Sequence, residues 1–252
     1  MVEFRESHQK GWTPKQMVGL MDKAGVGIHC IVQIKMKSYR HDKLIIDTKA
    51  QEVAKVIQAY PGRFIGFAGI NPLEGMDGVK AMERSITKLG FKAAYLHVYG
   101  FNIPIDHRRL YPFYAKCEEL GVPVSMQVGH SAEAMPSEMA RPMLLDNIAL
   151  DFPSLKIVGT HTGWPWCEEM IAMAWKHDNV YVGMDAHMPR YWDKNILSFV
   201  KSRGQDKMIW GTNGPTAFTH AHILSQINEL DLKPKVKAKL LRDNARKVLG
   251  LF

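Results

Sequence analysis

No run of about 18 or more apolar residues occurs in this 252-residue chain, so no transmembrane helix and no membrane partner are expected. The opening residues, Met1-Val2-Glu3-Phe4-Arg5-Glu6-Ser7, lack the apolar core of a signal peptide. Cysteine is scarce: Cys30, Cys117 and Cys167 make three, an odd number without CxxC spacing. That argues for a reducing, cytoplasmic setting and against a disulfide framework or a zinc knot. Cys30 and Cys117 stand among apolar neighbours and are expected to be buried and inert. There is no GxGxxG or GxxxxGKS/T loop for nucleotide phosphates and no GxSxG nucleophile turn. No linker or low-complexity tract divides the chain, which reads as one domain over residues 1–252.

Positive charge is in excess, with 33 Lys+Arg against 25 Asp+Glu and a net charge of +8. The densest cluster is Lys233, Lys235, Lys237 and Lys239, which reads first as a solvated helix face. No basic-aromatic stripe accompanies it, so a nucleic-acid partner is not expected. A positive field that draws in small anionic substrates fits the composition.

The dominant pattern is alternation of apolar strands and helices. Strands are predicted at 28–34, 63–70, 91–98, 122–128, 155–160, 180–184 and 208–211. Helices are predicted at 13–25, 47–60, 77–89, 108–120, 142–150, 165–176, 195–203, 219–230 and 234–249. Thr13 with Pro14 opens the first helix, and Gly25, Gly90, Gly121 and Gly204 stop four of them. Strands that are apolar throughout and return through helices imply a parallel sheet with helices outside. The length and count predict a TIM-type (β/α)8 barrel whose first strand is missing or replaced by the short N-terminal segment Val2–Arg5. Pairing by that segment, or cover by a second copy in a homo-oligomer, is expected at the seam.

In such a barrel the chemistry sits at the C-terminal ends of the strands. These ends carry Gln33 and Lys35, then Asn71, His97 and Tyr99, Gln127 and His130, His161, Asp185 and His187, and Thr212 and Asn213. Histidines and an aspartate from four strands would meet at one mouth, as acid–base work or metal binding requires. The stretch Lys156-Ile157-Val158-Gly159-Thr160-His161-Thr162-Gly163-Trp164-Pro165-Trp166 stands out, because a buried strand ends on a histidine and turns on a glycine. Pro165 is expected at the first position of the next helix, aiming the N–H groups of Trp166 and Cys167 at the mouth. Trp164 is expected to wall an aromatic substrate and Arg141 to clamp a carboxylate, or else to pair with Glu138. Tyr99 is expected to bond substrate or to pack under its loop. Met135, Met139 and Met143 read as an apolar wall or as core.

The sequence resembles the amidohydrolase-2 family of metal-dependent TIM-barrel hydrolases and decarboxylases. The resemblance runs from Trp12 onward and rests on Met21-Asp22-Lys23-Ala24-Gly25-Val26, the stretch 63–72, the stretch around His161, Asn179-Val180-Tyr181-Val182 and Trp210-Gly211-Thr212-Asn213-Gly214-Pro215. It implies hydrolysis or non-oxidative decarboxylation of a small carboxylated or aromatic compound. It also implies a divalent metal, zinc or manganese, held by a first-strand HxH pair and further histidines, with an aspartate on the eighth strand. His161 matches a family histidine and is the implied metal ligand. Gln127 lies where many members have histidine, with His130 three residues on. Asn213 stands for the aspartate, and an amide takes up no proton near neutral pH. No HxH precedes Trp12; His220-Ala221-His222 has the letters, but histidines two apart on a helix do not share a face. Three readings follow. The chain is a shortened or altered form of an active enzyme, a homologue working without metal through His161, His130 or His97, or a non-catalytic binding relative. In the enzymatic readings His161, Asp185, His187 and Asn213 are the candidate catalytic residues, and His97, Tyr99, Gln127, His130, Arg141 and Trp164 bind substrate.

Overall fold

A computed structural model of the chain describes residues 11–214 and 219–251. The first helix, α1 (Pro14–Ala24), forms as its sequence dictates. The Thr13 hydroxyl accepts from the Gln16 N–H while the Gln16 side chain accepts from the Thr13 N–H, and Gly25 ends the helix at φ 70°. The chain then runs through β1 (His29–Val32), β2 (Lys35–Lys37), β3 (Leu44–Asp47), α2 (Ala50–Ala59), β4 (Phe64–Gly69), α3 (Gly75–Leu89) and β5 (Ala93–Leu96). It continues as α4 (Tyr111–Glu119), β6 (Val124–Gln127), α5 (Leu145–Asp151), β7 (Ile157–Thr160), α6 (Cys167–Lys176), β8 (Val180–Gly183), α7 (Lys194–Lys201) and β9 (Met208–Ile209). It closes with α8 (His220–Glu229), α9 (Pro234–Ala238) and α10 (Asn244–Leu249).

Seven strands make one parallel sheet in the order β1-β4-β5-β6-β7-β8-β9, all seven of them expected from the apolar runs. The sheet curls: α8, which follows β9, packs on α1, which precedes β1. His220 of α8 and His29 of β1 meet at 3.0 Å between ring nitrogens. These are seven of the eight strand positions of a TIM barrel. Among the described residues no strand joins β9 to β1. Val2–Arg5, expected to pair there, lie outside the described residues.

Register sets which residues face the barrel interior. Gly69, Tyr95, Ser125, Val158 and Tyr181 stand opposite one another across five strands. The alternate residues, among them Ala94, Leu96, Val124, Met126 and Ile157, are fully buried in the main core against the helices. The larger of these, Leu96, Val124, Met126 and Ile157, stabilise the fold by roughly 1.5–3 kcal/mol each when fully buried. A cavity of about 1060 Å³ follows the inner faces from His161 and Asp185 toward Val248 and Leu249 of α10. Small inner residues, Ala93, Ser125, Gly183 and Gly211, line it and leave it room.

Three details differ from the sequence reading. A hairpin, β2–β3, follows β1 and packs on the segment Tyr99–Phe101, with Lys35 paired to Asp47 and Lys37 to Asp42. The single helix expected over 234–249 is α9 and α10 joined by a π turn at Lys239–Asp243. That turn presents the Leu240 and Leu241 carbonyls to Trp210, whose backbone and indole N–H groups donate to them at 3.2 and 2.9 Å beside β9. Cys117 is buried as expected, but Cys30 is exposed to the interior cavity. Its thiol still lies deep in the protein, and burial pushes it up to about 12, so it remains a poor nucleophile. Among the described residues no helix is long and apolar enough to cross a membrane.

Candidate active site

β7 ends at Thr160 and the backbone then enters the left-handed region for three residues, His161 (φ 63°), Thr162 (φ 56°) and Gly163 (φ 72°). Non-glycine residues there cost of order 1–3 kcal/mol each, so the surroundings must hold them. They do: the His161 N–H donates to Asp185 Oδ1 at 3.0 Å, and the Trp164 carbonyl accepts from the His130 N–H at 2.8 Å. The turn thereby aims the His161 ring at Asp185, with Nε2 3.5 Å from Oδ2. Asp185 follows β8, and glycines admit it. A Cβ on Gly211 would lie 2.8 Å from the Asp185 Cβ, and one on Gly183 3.2 Å from its Oδ1. His161 and Asp185 are both mostly buried, line the same cavity, and form the best-defined acid–base pair of the mouth.

Three aromatic rings stand beside this pair. His130 meets Trp164 edge-on at 4.6 Å between centroids, and His187 lies 6.4 Å from His130 and 5.8 Å from Trp164. Trp164 is 45% exposed, so its indole is available as a wall. Burial, then the neighbouring His161 and His130, hold the His187 imidazole below its ordinary value, against the pull of Asp185. Asn213, at φ 52°, is exposed and borders the same cavity as His161 and Asp185.

On another side of the mouth His97 is fully buried, and neither of its ring nitrogens has a hydrogen-bond partner among the described residues. Its Nε2 lies 4.0 Å from Glu133 Oε2, and burial pushes the imidazole down to about 4. Tyr95 faces the same region, its hydroxyl raised by burial and then by Asp185. Neither Glu133 nor Tyr95 was singled out from sequence. Glu133 had a readable signal, an acid three residues beyond the strand-end His130 in a short polar loop.

Several expected substrate contacts are occupied by the protein itself. Gln127 donates from Nε2 to the Tyr95 hydroxyl at 2.8 Å. Tyr99 is fully buried and its hydroxyl donates to the Gly129 carbonyl at 3.2 Å, so it packs under the loop. Arg141 makes a two-pronged pair with Glu169 at 2.7–3.1 Å and lies over the Trp166 ring, leaving Glu138 at 3.6 Å as a secondary partner. It is committed to joining the 138–144 loop to α6. Pro165 is not a helix-start residue: the Trp164–Pro165 bond is cis and α6 begins at Cys167 after Trp166. The helix start expected at Pro165 therefore lies two residues later, at Cys167. Met135 and Met139 pack on the main core, and Met143 is exposed. His220 pairs with His29 while the His222 ring meets Gln226 at 3.1 Å, so the HxH letters serve two separate contacts.

The residues at the implied metal positions do not fit a metal ion. Gln127 and Asn213 are neutral amides, Gln127 is already bonded to Tyr95, and His161 is engaged with Asp185. Among the described residues no three of His, Cys, Asp or Glu converge as a ligand set.

Gly129 holds the two halves of the mouth together. Its φ is 98° and a Cβ there would stand 2.4 Å from the Trp164 carbonyl oxygen. Gly129→Ala is expected to cost about 3 kcal/mol through backbone strain and the clash, lowering Tm by roughly 6–12 °C. Calorimetry checks this, and an unchanged Tm would show that the Trp164 turn shifts freely.

A family model described as Amidohydrolase matches residues 40–251. Solved structures share the fold. An uncharacterized TIM-barrel protein from Bordetella bronchiseptica is 28% identical, with a TM-score of 0.79 over 94% of this chain and 83% of that one. A 2,6-dihydroxybenzoate decarboxylase from Rhizobium is 16% identical, with a TM-score of 0.75 over 95% and 89%. A dihydroxybenzoic acid decarboxylase from Polaromonas sp. JS666, with bound manganese and the inhibitor 2-nitroresorcinol, is 16% identical, with a TM-score of 0.73 over 95% and 86%.

Proposed function

The chain belongs to the amidohydrolase family, and we propose that it is an acid–base enzyme releasing carbon dioxide, without oxidation, from a small aromatic carboxylate. The observation that carries this is the His161–Asp185 pair, set 3.5 Å apart on the cavity wall, with the Trp164 indole three residues further along the same turn and 5.8 Å from the His187 ring. A planar substrate stacks on Trp164, with its carboxylate toward His130 and His187 and away from Asp185. Protonated His161 gives its proton to the ring carbon that bears the carboxylate. The carbon–carbon bond breaks, its electron pair stays on that carbon, and carbon dioxide leaves. Solvent then returns the proton to His161. Asp185 orients the imidazole, as a carboxylate at this range does. No step is assigned to a metal, since the described donor set does not fit one.

Hydrolysis is the second reading, favoured by the cavity that reaches His161 and Asp185 and gives a water room beside them. There the same pair draws a proton from water as it attacks a lactone or ester. Purified protein incubated with a panel of hydroxybenzoates and lactones separates the two readings. Carbon dioxide release from an aromatic carboxylate is expected. Lactone opening without carbon dioxide would replace this reading with hydrolysis, and no turnover of any compound would favour a binding protein.

A further inference from the structure

His97 is costly as it stands. A buried ring nitrogen without a partner forfeits the hydration it had in water, and His97 leaves two of them so among the described residues. A group kept in that state points to a ligand, and the side on which one can reach it is Nε2, which faces Glu133. The nearest acid is Glu133, whose Oε2 accepts from the Ser131 hydroxyl at 2.7 Å and lies 4.0 Å from His97 Nε2. That span is too long for a hydrogen bond, yet one oxygen about 2.8 Å from each atom bridges it at an angle of roughly 90°.

We propose that His97 and Glu133 form a hydroxyl-recognition subsite in the mouth, distinct from the His161–Asp185 pair. This rests on reading the mouth as the substrate site. The hydroxyl donates to the Glu133 carboxylate and accepts from His97 Nε2–H. Burial keeps His97 neutral, so its Nε2–H donates to the hydroxyl while Glu133 takes the hydroxyl proton's hydrogen bond. A substrate carboxylate is turned away, because Glu133 would face it at close range. The pair opens on the acid's side: the Glu133 side chain is 24% exposed and that of His97 is closed off.

The test is equilibrium binding of phenol and of anisole, which differ by one methyl on the oxygen, followed by tryptophan fluorescence or calorimetry. Phenol is expected to bind at least about tenfold more tightly than anisole, as loss of a charged hydrogen bond implies. Glu133→Gln and His97→Phe are expected to erase that preference. Glu133 sits on a partly exposed loop, so its variant remains informative where the buried His97 variant fails to fold. Equal binding of the two probes, no phenol binding, or a preference that survives in Glu133→Gln would overturn the subsite. Binding is read without turnover, so failure of the proposed reaction leaves this result standing and is told apart from it.

Discussion

Replacing His161 with alanine is expected to lower kcat/KM by about 1000-fold, the middle of the range that a positioned acid–base group supplies. The ring touches Asp185 across 3.5 Å, and no other imidazole stands in a comparable pair with an acid in the mouth among the described residues. His97 is 4.0 Å from its acid and fully buried, and the His187 and His130 rings are placed against Trp164. The loss should appear in kcat, because stacking on Trp164 and contacts to His130 and His187 remain. Stability should change by less than about 1 kcal/mol, since the backbone bond from residue 161 to Asp185 needs no imidazole. His130→Ala, which on the proposed reading removes only a substrate contact, should cost about tenfold and mostly in KM. Turnover by His161→Ala at the unaltered rate would end the assignment.

How much of this was readable beforehand depends on the range of the contact involved. β7 and the His161 that follows it were legible because an apolar run, a histidine and Gly163 lie together in the chain. The capping of α1 was legible for the same reason, since Thr13, Pro14 and Gly25 carry their geometry locally. The hairpin β2–β3 was not, because Lys35, Lys37 and Asp47 break the apolar pattern and pair only once the turn has formed. Arg141 shows the limit clearly. Its partner in sequence range, Glu138, was foreseen, but the stronger partner Glu169 is 28 residues away on α6 and meets it only in the fold. Gln127 likewise finds its partner, Tyr95, across neighbouring strands. Cys30 was read from its apolar neighbours as buried, and the strand parity that turns it toward the cavity was invisible without the register.

Asp185→Asn distinguishes the acid–base reading from one that works through a bound ion, such as the manganese in the Polaromonas structure. Asparagine keeps the size of the side chain and an oxygen able to accept from the His161 N–H, but it loses the charge that faces His161 Nε2. If Asp185 orients His161, kcat is expected to fall by about 100- to 1000-fold while KM stays within about threefold. Added manganese or zinc should not restore it, and prolonged dialysis against a chelator should leave the wild-type rate unchanged. The structural reason is the donor set: a neutral Gln127 held by Tyr95 and a neutral Asn213 give a divalent ion little charge to bind. The converse variant, Gln127→His with Asn213→Asp, should gain affinity for zinc by a measurable factor, read by metal content after dialysis. A wild-type rate lost to the chelator and returned by manganese would instead make Asp185 a supporter of a bound ion. The direct proton transfer from His161 would then have to be abandoned.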